Sequence, residues 1–290
     1  MATRLVAILL VLLACRVLPE LARLRNFAWW REWLDKVGRS STAAVFAFGL
    51  AAPVALCALV QFAAQGALFG LIALAFAAVV LYVSWGPRDL ERDVEAIAKA
   101  PDSERRAAAL RGLRADGATA DLAFVTETVV EATFGAALKR WFGVLFWFTV
   151  LGPAGALLYR LAQLLAYAPD YTREQPAAQQ EATRRLALAL DWAPAHLMAL
   201  SLALASNFDA VFKTWHDYHQ AHGKGYFCLD LGFLSAIARA SVDADVAAEE
   251  SGQDAHSPLV ALEDAMVLVR RVAVVWLTLI ALVVLGNWFA

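Results

Sequence analysis

Residues Ser40–Pro87 read SSTAAVFAFGLAAPVALCALVQFAAQGALFGLIALAFAAVVLYVSWGP, and none of them is charged. The interruption QFAAQG (Gln61–Gly66) cuts this stretch into two runs. Each is about 21 residues long, enough for a helix to cross a hydrocarbon layer of roughly 30 Å. The reading is a transmembrane helical hairpin, approximately 42–62 and 66–86.

Further apolar blocks lie on either side. Residues 1–19 form a short first span. Its LLAC weakly resembles a lipoprotein cleavage box at Cys15, but an uncleaved helix with Arg16 snorkelling at its end is expected. WFGVLFWFTVLGPAGALLY (Trp141–Tyr159) continues past Arg160 to Ala168, and its GPAG (Gly152–Gly155) predicts a bend with close approach of a neighbour. The block Val272–Phe289 belongs to a helix that starts earlier, because Ser257–Pro258 supplies an N-cap followed by a proline at the first helical position. With 186–206 as a further candidate, the chain has five or six spans. The fold class is an all-α polytopic membrane bundle with amphipathic cytoplasmic helices.

Between the apolar blocks the pattern changes. Leu90, Val94 and Ile97, then Leu122, Val125, Val129, Ala132 and Ala136, recur at helical spacing and predict amphipathic helices. Lys and Arg crowd 20–41 and 88–140 and are absent from the hairpin tip at 61–66. The positive-inside rule then places those two segments in the cytoplasm, with the N-terminus outside. The stretch DADVAAEESGQDAH (Asp243–His256) predicts a disordered acidic loop. The organisation is 1–87 (first span and hairpin), 88–140 (cytoplasmic helices), 141–206 (core spans), 207–257 (interfacial helices and acidic loop) and 258–290 (C-terminal helix).

Composition agrees: 61% of the 290 residues are hydrophobic and 18% charged. The net charge of −2 gives no nucleic-acid signal. Three widely spaced cysteines give no disulfide framework. No cofactor motif is present, and the expected partners are the lipid bilayer and a small ligand.

Candidate functional residues are polar groups in apolar surroundings. In ALALDWAPAHLMALSLALA (Ala187–Ala205), Asp191 is expected to N-cap a half-helix restarting at Trp192, with Pro194 in its first turn and Trp192 and His196 on one face. A half-helix end of this kind either restarts a kinked helix or lines a polar cavity. Arg160, the lone charge of 141–168, either snorkels or pairs with a buried carboxylate such as Asp191. Glu127 and Glu131 lie one turn apart and suit acid–base work or a solvated face. His216, His219 and His222 follow at i, i+3 and i+6, a weak pattern for a metal.

VLFWFTVLGPAGALLYRL (Val144–Leu161), LALDWAPAHLMAL (Leu188–Leu200) and EDAMVLVRRVAVVWLTLIAL (Glu263–Leu282) resemble the AmpE family of bacterial inner-membrane proteins. That family is in turn similar to the CobD/CbiB membrane proteins, which build the aminopropanol linkage of cobinamide phosphate. The resemblance implies an inner-membrane accessory or sensor in β-lactamase induction, cell-wall recycling or envelope stress, partnered by a small ligand or a cell-wall-recycling protein. The alternative is a membrane enzyme or small-molecule-binding protein with a remodelled CobD/CbiB-type pocket.

Against the CobD/CbiB motifs, Gly86, Arg88 and Asp89 match Gly-Arg-Asp-Thr without its threonine. Glu131 is what remains of Ala-Glu-Asn, while Arg160 stands for a lysine, Gln163 for an asparagine and Ala166 for an aspartate. Asp191-Trp192-Ala193-Pro194-Ala195-His196 stands for Asn-Trp-Ile-Pro-Ala-Arg. The resemblance thus implies a ligand site at Arg88, Asp89, Glu131, Arg160, Asp191, Trp192 and His196.

Overall fold

The structure is a computed structural model that describes residues 2–17, 25–37, 41–64, 70–86, 89–113, 123–173, 175–223, 225, 227–248 and 257–289. Among them there is no strand. The helices are α1 (Ala2–Val17), α2 (Ala28–Val37), α3 (Thr42–Ala63), α4 (Gly70–Ser84), α5 (Leu90–Lys99), α6 (Ser103–Leu113), α7 (Thr126–Leu151), α8 (Pro153–Tyr167), α9 (Pro169–Thr172), α10 (Ala177–Ala205), α11 (Phe208–His222), α12 (Gly232–Ala248) and α13 (Pro258–Phe289). Of these, α3, α7, α10 and α13 are long and apolar enough to cross a membrane, and α4 is a shorter apolar helix. The protein is an all-α membrane helical bundle. It packs as two units, one of 1–87, 143–187 and 279–290 and another of 88–142 and 188–278.

In the first unit, breaks in helices are repaired by side chains from neighbouring helices. Ser41 caps α3 by accepting from Ala44 N at 3.1 Å. Residues Val45–Ala51 then widen into a π-type turn ahead of Pro53. Ala52 N still reaches back five residues to Ala47 O and Pro53 has no N–H, so the missing donor and the return to α-helical register together leave Phe48 O and Gly49 O without a helical donor. Two indoles from α2 replace it: Trp30 Nε1 donates to Gly49 O at 2.8 Å and Trp33 Nε1 to Phe48 O at 3.0 Å. A side chain at position 49 would meet Leu34, so the glycine also sets how closely α2 approaches.

The expected GPAG break falls between α7 and α8. Gly152 takes a positive φ of 75°, and its N–H closes the last turn on Phe148 O. Arg4 Nη1 donates to Thr149 O and Val150 O at 2.6 and 3.2 Å. Gln61 Nε2 donates to Leu151 O at 3.3 Å while its Oε1 accepts from Ala154 N at 3.2 Å, so one amide serves both helix ends. An apolar environment demands this, because a backbone group unpaired in hydrocarbon costs several kcal/mol, roughly. Gly155 packs against the Trp147 backbone, where no side chain would fit.

In the second unit, Asp89 caps α5 by accepting from Glu91 N at 3.0 Å, and Leu90, Val94 and Ile97 are buried as their spacing predicts. The same face carries buried Asp93, which pairs with Arg140 at 2.7 Å. Arg140 also donates to Gly112 O and Leu113 O, both at 3.1 Å, and so caps α6. Phe142 meets Trp276 edge-on at 5.1 Å, and Trp276 Nε1 donates to Ser201 Oγ at 2.9 Å. Arg270 and Arg271 of α13 pair with Glu91 and Asp245 at 3.0 and 2.9 Å. Helix α13 begins at Pro258 behind Ser257, as expected.

Two expectations are corrected. The restart at Asp191 does not exist, because α10 is continuous over 29 residues with Pro194 inside it. A single proline removes one N–H, whereas a full break would orphan up to about four donors and four acceptors. The predicted acidic loop is helical in its first part, where α12 runs to Ala248; 249–256 lie outside the described residues.

Trp30→Phe deletes the donor to buried Gly49 O and should destabilise the protein by about 1–3 kcal/mol in detergent unfolding. The loss should shrink in a Pro53→Ala background, where the restored N–H reaches Gly49 O. Arg140→Ala strands buried Asp93 and should cost about 3–5 kcal/mol, read as a large drop in thermal midpoint.

Candidate functional site

A cationic cavity of about 460 Å³ opens in the first unit where α4 ends. It is lined by Arg25, Arg31, Trp85, Arg160, Asp170 and Tyr171, among others. Its chemistry begins with the carbonyls at the exit of α4, which lack intrahelical donors and carry the negative end of the helix dipole. Arg160 Nε donates to Ser84 O at 2.7 Å and Arg25 Nη1 to Gly86 O at 3.2 Å. Both side chains are buried, 4% and 8% exposed.

Arg25 has more to offer than it uses. Its guanidinium lies 4.5 Å over the Tyr82 ring and Nη2 donates to Cys15 Sγ at 2.9 Å. These partners are neutral, and Nε is buried with no hydrogen-bond partner. At the rim, Arg31 meets Asp170 at 3.9 Å, and both are exposed. Tyr171 OH donates to Phe27 O at 3.1 Å and holds the start of α2 against the cavity. A buried cation answered only by neutral groups is costly, and an anion entering the cavity offsets that cost.

The sequence-predicted site residues divide between the two units. Arg160 lines this cavity. Asp89 is the cap of α5, and Glu131 pairs with Arg239 at 3.2 Å, both in the second unit. Arg88 lies outside the described residues. Asp191 is fully buried in the second unit. Trp192 and His196 do share a face, with ring centroids 4.2 Å apart, and His196 Nδ1 hydrogen-bonds Trp192 O at 2.7 Å. Around them Phe227 stacks on Trp192 at 5.9 Å, and Phe233 and Trp215 flank His196 at 4.6 and 5.8 Å. His219 and His222 bond the carbonyls of Trp215 and Tyr218, one turn back, and His216 meets Gln220. Among the described residues no metal-binding trio converges. Glu95, on α5, titrates below the ordinary carboxylate range because Lys99 one turn on bonds to it.

Sequence reasoning missed Arg25, which counted only as one topology charge among several. The signal available was RNFAWW (Arg25–Trp30), a cation beside the aromatics that dock α2.

The fold defines an all-α membrane protein, with a cavity lined by arginines in its first unit. A sequence model described as CobD/Cbib protein matches residues 5–225, most of the chain, and the chain belongs to that family. It is 31% identical over 140 residues to a "Cobalamin biosynthesis protein CobD" of Chromobacterium violaceum, and 28% identical over 143 residues to one of Stutzerimonas stutzeri. The matched stretch covers 47% of this chain and 45% and 46% of those relatives, so the chain spans less than half of their length. No solved structure matches. These matches support CobD/CbiB, the alternative reading of the sequence, over AmpE.

The aromatic cluster gives a direct check. Phe233 is 1% exposed and touches three of the neighbouring rings, so Phe233→Ala should cost about 3–5 kcal/mol in thermal unfolding. Exposed His216→Ala should change it by under about 0.5 kcal/mol.

Proposed function

We propose that this chain is a membrane-embedded small-molecule-binding protein on the CobD/CbiB scaffold, with an anionic ligand held in the cationic cavity. The observation that carries the reading is Arg25: a buried guanidinium lining a cavity of about 460 Å³, whose hydrogen-bond partners among the described residues are neutral. The relatives are named for cobalamin biosynthesis, so the first ligand to test is an anionic intermediate of that route. Whether the bound molecule is converted depends on polar groups that this chain has largely exchanged, Ala166 for an aspartate being the plainest case.

A second reading, an AmpE-like sensor in the inner membrane acting in envelope stress or β-lactamase regulation, is favoured by those exchanges. It retains the cavity and replaces turnover with signalling, and deletion of the protein should then alter β-lactamase induction.

Titration of the purified full-length protein with cobinamide phosphate and, separately, inorganic phosphate tests the main reading. Arg25→Ala should weaken binding by about 10–100-fold, the worth of a charge-assisted hydrogen bond. Unchanged affinity in that variant would exclude the cavity as the binding site.

A further inference from the structure

A second cavity adjoins the first. It measures about 500 Å³, and its wall is almost wholly apolar, with Trp29 and Trp33 of α2, Leu56 of α3, and Val80 and Val83 of α4 among its lining. Phe27 lines both cavities. Leu157, one turn before Arg160 on α8, lines the apolar one. The two spaces therefore lie on either side of Phe27 at the exit of α4, with Ser84 on the apolar side and Trp85 on the cationic side. Ser84 is fully buried, and its Oγ has no hydrogen-bond partner.

The mouth of the apolar cavity is itself apolar. Trp29 is 51% and Leu56 63% exposed on helices that lie within the membrane or at its surface. The lining runs from α2 and the exit of α4, at the end of the hairpin away from its tip, along α4 to Phe76 and along the second half of α3, Ala52 to Val60. The Lys/Arg distribution assigns that end to the cytoplasmic surface, where indoles favour the headgroup level and anionic lipids concentrate.

A small free anion would neutralise Arg25 and leave the apolar cavity unoccupied. A neutral chain would fill the apolar cavity and leave Arg25 buried without a counter-charge. We propose that the two cavities together hold one anionic phospholipid of the surrounding bilayer, its phosphate against Arg25 and one acyl chain between Trp29, Leu56 and Val80. The proposal rests on the reading that the cationic cavity takes an anion. It adds that the lipid and a small anionic ligand share Arg25 and exclude each other.

The test is native mass spectrometry of the full-length protein in neutral detergent, titrated with phosphatidylglycerol, phosphatidylcholine and glycerol phosphate. Phosphatidylglycerol should be retained about tenfold or more over phosphatidylcholine, and glycerol phosphate should displace it. Arg25→Ala should abolish the preference. Val80→Trp, which fills the apolar cavity, should lose phosphatidylglycerol and keep glycerol phosphate; Leu56→Trp at the exposed mouth does the same without touching the packed interior. Equal retention of the two lipids, with Arg25-dependent glycerol phosphate binding intact, overturns the lipid proposal and leaves the anion site standing. Failure of the wild-type protein to bind either anion overturns both.

Discussion

Helix α4 ends inside the first unit, and its last carbonyls need donors that neither water nor a following turn of helix supplies. Arg160 and Arg25 supply them. The arginine fork suits the task, because a guanidinium offers five donors and satisfies a carbonyl while keeping others available. Structural capping thus places two buried positive charges at one point. The cationic cavity follows from how the helix is terminated.

The same constraint recurs through the fold. In a hydrocarbon medium every break in a helix creates unpaired carbonyls. Here Trp30 and Trp33 serve the break at Pro53, and Arg4 and Gln61 the one at Gly152. Each of these side chains joins two elements distant in sequence, so satisfying the backbone also sets the packing. Against that background the buried guanidinium of Arg25, with an Nε that has no acceptor, stands out.

Much of the fold was legible because the controlling signals are local. The charge-free run, the GPAG break, the spacing of Leu90, Val94 and Ile97, and the Ser257–Pro258 start each act within a few residues. Asp191 misled because capping and proline rules describe a helix in isolation; within α10 the cost of one missing N–H is smaller than that of two new helix ends. Arg25 was illegible as a site for a related reason. Its value as a topology charge is written in the sequence, while its burial depends on α2 docking through Trp30 and Trp33.

The exchanged motif residues acquire a physical meaning in this light. Trp192 and Pro194, which match the family pattern, sit in a continuous helix beside a packed aromatic cluster, and His196 turns its Nδ1 onto its own helix. That arrangement preserves shape and directs a polar group away from a ligand. Arg160 keeps a cation where the family pattern has lysine, and its extra donors let one side chain both cap α4 and face the cavity. Among the motif positions Asp89 and Glu131 keep their carboxylates, Asp191 adds one and Ala166 lacks one, so the exchanges redistribute acidic groups while Arg160 keeps the cation on the cavity wall.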